Sequence, residues 1–90
     1  MNVLLITYKL NNRVKDYSPF FAAVKGNSIA WWHYLDATWI VTTGHSAEIY
    51  ANLLYPHIEQ ADRLLVIKVQ KDYQGWLTED AWAWLNNKDF

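Results

Sequence analysis

The chain has no cysteine and, among its 90 residues, only three glycines, two prolines and one methionine. Without cysteine there is no disulfide framework, no thiolate metal site and no thiol nucleophile. So few glycines and prolines exclude a flexible linker and a glycine-rich phosphate loop, and no repeat or low-complexity run takes their place. No apolar stretch is long enough to span a bilayer. The apolar start, residues 1–6, lacks a basic beginning and meets Lys9 too soon for a secretion signal. A cytoplasmic protein with no membrane partner is the expectation.

Charge of one sign is also scarce, since the formal net charge is only −1, but its distribution is uneven. Residues 1–26 carry Lys9, Arg13, Lys15 and Lys25 against Asp16 alone, whereas residues 27–62 carry Asp36, Glu48, Glu59 and Asp62 with no Lys or Arg. A protein coated in basic charge is excluded; a local basic patch is not. What the chain has in abundance is aromatic surface: six Trp, six Tyr and three Phe. That is too much for a disordered chain, and more than so small a core needs. Aromatics in excess of the core are common at protein interfaces, which makes a homodimer the leading expectation.

Residues 30–41, Ala-Trp-Trp-His-Tyr-Leu-Asp-Ala-Thr-Trp-Ile-Val, read as a β-hairpin with its turn at Asp36-Ala37. Alternation places Trp31, His33 and Leu35 on one side of the first strand and Trp32, Tyr34 and Asp36 on the other. Both sides are aromatic and both need cover. Upstream, residues 3–10 read as a buried strand, and Ser18-Pro19 as the N-cap and first position of a helix that ends at Gly26. Downstream, Gly44 and Ser46 start a second helix with Ile49 and Leu53 inward, shortened or kinked by Pro56. Residues 63–70 form the last clear strand. Residues 71–77 are irregular or a short fifth strand with a bend at Gly75, and Thr78 caps a final short helix that buries Trp82 and Leu85. The order β-α-β-β-α-β makes a single α+β domain over residues 1–90: a ferredoxin-like, four-stranded antiparallel sheet with two helices on one face, the other face open, and a C-terminal tail over 71–90.

That topology gathers Lys9, Asn11, Asp36, Asp62 and Arg63 on one rim, with Asp36 and Asp62 read as ion-pair partners of Lys9 and Arg63. His33, His45 and His57 have no close ligand spacing, so no metal site is expected from them, and His33 reads as packed among aromatics. Ser18, Ser28 and Ser46 sit in no nucleophile elbow.

The Tyr8–Asn11 strand end, Asp16-Tyr17-Ser18, Trp31-Trp32-His33-Tyr34-Leu35-Asp36, Thr38-Trp39, residues 62–69 and Asp72-Tyr73-Gln74-Gly75-Trp76-Leu77 together resemble the SinR-like family. That family is related to the small ferredoxin-fold CRISPR-associated protein two, and the resemblance covers nearly the full length. It implies a homodimer to which the tail contributes through Tyr73, Trp76 and Leu77, and a nucleic-acid partner, DNA or RNA. In nuclease members the first strand ends in Tyr-Asp, and paired aspartates hold a metal across the dimer axis. Here that position is Lys9, which repels Mg²⁺ where a carboxylate is required. The expectation is therefore nucleic-acid binding through Lys9, Arg13 and Lys15, with no cofactor and with metal-dependent cleavage in doubt. A Mg²⁺-dependent endonuclease or ribonuclease toxin using Asp36 or Asp62, and a protein-interaction scaffold, remain the alternatives.

Overall fold

Two adjacent residues of the first strand, β1 (Asn2–Lys9), set the architecture. Val3 and Leu4 point to opposite sides and are both buried, so the sheet they belong to is covered twice. The computed structural model describes residues Met1–Phe90. β1 pairs antiparallel with β3 (Thr38–Thr43) on one side and with β4 (Arg63–Lys68) on the other, and β2 (Ala30–Leu35) adds to β3. The order β2-β3-β1-β4, with β1 and β3 central, is that of a ferredoxin-like sheet.

On the first face lie α1 (Ser18–Gly26) and α2 (Ala47–Leu54), the latter passing into a 3₁₀ turn over Tyr55–His57 where Pro56 ends the α-helical pattern. Leu4, Ile6, Trp39 and Val41 of the sheet pack there against Phe20, Val24, Tyr50 and Leu54. The inward residues of α2 are thus Tyr50 and Leu54, while Ile49 and Leu53, expected inside, are exposed. The hydroxyl of Tyr50 explains the difference. It donates to the Val24 carbonyl at 2.9 Å and lies 2.8 Å from Ser28 Oγ, so this polar tip is buried with its hydrogen bonds made. Ser46 caps α2 by accepting from the Ile49 amide, as expected. At α1 the cap differs: Tyr17 precedes the helix without a side-chain cap bond, and Asp16 Oδ1 instead accepts from the Ser18 amide at 2.9 Å.

The second face is not open throughout. After β4, residues 69–78 run back over the sheet without pairing into a strand and lead to α3 (Glu79–Asn86). Trp32 is the anchor: its ring is buried with Ala81 and Leu85, and its Nε1 donates to the Ala81 carbonyl at 3.2 Å. Ala81, rather than the expected Trp82, is the buried partner of Leu85, because a helix backbone this close to an indole leaves room for a methyl group only. The layer is clasped at its end. The Lys71 amide donates to the Phe90 carbonyl at 3.1 Å, and Lys71 Nζ donates to the Asn86 and Lys88 carbonyls at 3.1 and 2.8 Å. α3 covers the β2–β3 half of this face and leaves Leu65 and Ile67 of the edge strand β4 exposed.

A register shift between Trp32 and Leu35 corrects one face assignment. Leu35 pairs with Thr38, which pairs with Thr7, so the bulge moves Leu35 to the Trp32 side and away from Trp31 and His33.

Because Trp32 anchors the second layer, Trp32→Ala should cost about 3–5 kcal/mol in urea denaturation. Hydrogen exchange should then show α3 losing protection well before β1. Equal loss in both elements would mean that the layer is secured elsewhere.

Candidate nucleic-acid interface

The rim at the C-terminal end of β1 is assembled by strand register. Lys9 lies directly across from Arg63, the Asn11 amide donates to Asp62 Oδ1 at 2.7 Å, and the Tyr8 hydroxyl reaches the Asp36 carbonyl at 3.4 Å. Lys9, Asn11, Asp36, Asp62 and Arg63 therefore do come together. Their pairing is not the one expected. Asp62 is buried and its carboxylate accepts from the Asn11 and Glu59 amides and from the Tyr17 hydroxyl, all at 2.7–2.9 Å. It ties the loop after β1 to the turn before β4, and its hydrogen-bond donors include neither Lys9 nor Arg63. Burial pushes its pKa up, but the two amides, the Tyr17 hydroxyl and the charge of Lys15 outweigh burial and hold the carboxyl below its ordinary value. Burial first, and then this carboxylate, hold the Tyr17 phenol above its own ordinary value. Arg63 turns back and donates Nη1 to the Gln60 and Asp62 carbonyls at 3.3 and 2.9 Å.

The three basic residues singled out from the sequence are not equivalent. Lys15 forms the one ion pair, with Glu59 at 3.9 Å, donates to the His57 carbonyl at 3.2 Å, and lies 5.0 Å over the Tyr17 ring. Its charge is engaged locally. Lys9 and Arg13 are exposed and have no carboxylate partner. Arg63, read from the sequence as an ion-pair partner, instead joins Lys9 as a second cation on the same side of the sheet. Strand register places the two residues opposite each other, and neither has a carboxylate within ion-pair distance. The antiparallel pairing of the Tyr8-Lys9 and Arg63-Leu64 dipeptides was the signal that could have found this pair. The divalent metal that the resemblance implies at the end of β1 does not fit two cations, and no group of three or more ligating side chains converges anywhere in the chain.

The three tail residues also separate. Tyr73 stacks between Trp82, at 5.9 Å, and Phe90, at 6.1 Å, and donates its hydroxyl to Asn86 Oδ1 at 2.8 Å. Leu77 packs against the Trp32 cluster. Both are committed to their own chain's second layer, whereas Trp76 is 96% exposed beside a shallow concavity formed with Tyr34, Leu35 and Trp82. No helix is long and apolar enough to cross a membrane. Comparison with protein-family models, with curated proteins and with solved structures finds no match.

The Asp62 junction carries a pH dependence with a defined sign. Its folded pKa lies below the unfolded value of about 3.9, so its contribution is present above that pH and is lost as the pH falls through the folded value. Asp62→Asn should be less stable than the wild type at neutral pH, and the gap should close on acidification. A gap that stays constant from pH 7 to pH 2 in urea titrations would show that the charge of Asp62 is immaterial.

Proposed function

We propose that this chain is a cytoplasmic homodimer of the SinR-like kind that holds the phosphate backbone of nucleic acid at the β1–β4 rim without cutting it. The observation that carries this reading is the Lys9–Arg63 pair, two unneutralised cations placed opposite each other, with exposed Arg13 on the loop that follows β1. A phosphodiester bound by two such groups gains their positive charge and releases its own counterions. Side chains of this type position a backbone and read no bases.

Dimerisation multiplies the effect. The uncovered half of the second face presents Leu65 and Ile67, and Trp76 stands almost wholly in solvent. An aromatic this exposed is a natural interface anchor. A two-fold axis through this face brings two copies of the rim onto one assembly. The net charge of −1 per chain keeps the affinity modest and strongly salt-dependent. Cleavage has no support at the rim: the position that would ligate a metal is Lys9, and the buried carboxylate of Asp62 is engaged by two amides and a hydroxyl.

Wild type should bind short DNA or RNA at low salt, with log K falling linearly in log salt. Lys9→Ala with Arg13→Ala should weaken binding and flatten that slope by about 1 for each phosphate that is no longer neutralised. If the wild type fails to bind at low salt, the scaffold alternative takes its place; metal-stimulated cleavage by the wild type would restore the nuclease alternative.

Light scattering should give a dimer at micromolar concentration. Trp76→Ala should shift the equilibrium toward monomer by about 2 kcal/mol, roughly 30-fold in the dissociation constant. A monomeric wild type at high concentration would remove the dimer from the proposal.

A further inference from the structure

On the helical side of the β2 edge, the aromatic residues form an ordered shelf that the rim does not use. Trp39 is buried, and its Nε1 donates to the Tyr8 hydroxyl at 2.9 Å, which fixes the indole plane. Phe21 stacks near-parallel at 6.2 Å and 19° from it. His33 lies 3.9 Å from the same ring and only 13° from parallel, with its Nε2 3.1 Å from the Asp36 carbonyl. The imidazole is therefore held by a stack below and a hydrogen bond at its edge. His33 is nonetheless exposed, so its remaining surface is turned to water. Beside it Trp31 is 43% exposed and packs at 5.4 Å against Trp39. The Lys25 ammonium sits 4.7 Å over the Trp31 ring and 6.0 Å from that of Trp39, with no carboxylate partner.

An imidazole stacked on a fixed indole, oriented and water-facing, is a platform for one more planar ring. A cation at its edge suits an anionic group attached to that ring. A nucleobase with its phosphate has both features. Within a duplex the faces of a base are covered by its neighbours, so only an unpaired base can lie flat on His33. We propose that the Lys25–Trp31–His33 shelf stacks an unpaired nucleobase, with Lys25 against the adjoining phosphate, and that single-stranded nucleic acid is the substrate class of this protein. This inference rests on the nucleic-acid reading above and adds to it a second, base-dependent interaction.

The two are separated by comparing a fluorescein-labelled single strand of roughly 12 nucleotides with an abasic strand of equal length, and with a duplex, at one low salt concentration. The abasic strand keeps every phosphate and offers nothing to stack. The wild type should bind the base-bearing strand roughly tenfold or more tightly than the abasic strand, and more tightly than the duplex. His33→Ala and Trp31→Ala should remove that preference and leave abasic affinity unchanged, while His33→Phe, which keeps a ring, should retain it. The wild-type comparison between strands needs no variant and decides the matter even where an alanine variant fails to fold. Equal binding of the base-bearing and abasic strands, or of single strand and duplex, would overturn the stacking site while leaving the phosphate-holding rim in place. Failure of the wild type to bind any of the three would overturn both.

Discussion

Val3 and Leu4 cannot both be dry unless the sheet is covered on both faces, and most of this molecule's organisation follows from that demand. Two helices close the Leu4 side, as in any split βαβ unit. The Val3 side needs a layer of its own, and the chain supplies it with its C-terminal segment, drawn over the sheet by Trp32 and held at the end by the Lys71 bonds. A layer made from one short helix cannot reach across four strands. Its helix lies over β2 and β3, the segment that leads to it bonds back to Val3 on β1, and of the apolar residues of β4 only Leu65 and Ile67 are left exposed.

The strand order and the composition of the rim were legible in the sequence, because both depend on alternation and connectivity. Once β1 and β3 are central and antiparallel, Lys9 has to meet Arg63 and the hairpin turn has to lie close by. What could not be read was the state of each polar group. Asp62 looks like a partner for the neighbouring cations, yet backbone amides, which leave no trace in a sequence, take its carboxylate. The phase of α2 is hidden for a related reason: Tyr50 is a poor core candidate until the Val24 carbonyl is seen beside its hydroxyl. At α3, size mattered more than hydrophobicity, and the small Ala81 took the position against Trp32. The bulge that carries Leu35 to the other face has no marker residue at all.

Aromatic side chains divide between the two faces in a way that composition alone conceals. Trp32 and Trp39 are core, each with its indole N–H bonded inside the chain. Trp31 and Trp76 are exposed. These four tryptophans thus divide into one buried anchor and one outward-facing ring on each side of the sheet.

The cations at the adjoining ends of β1 and β4 have no carboxylate of their own chain within ion-pair reach, so their counter-charge comes from outside the fold. Mobile ions at about 0.1 M, with a screening length near 10 Å, supply it in solution. A bound polyanion and a moderately salty buffer are, for this end of the sheet, interchangeable sources of counter-charge.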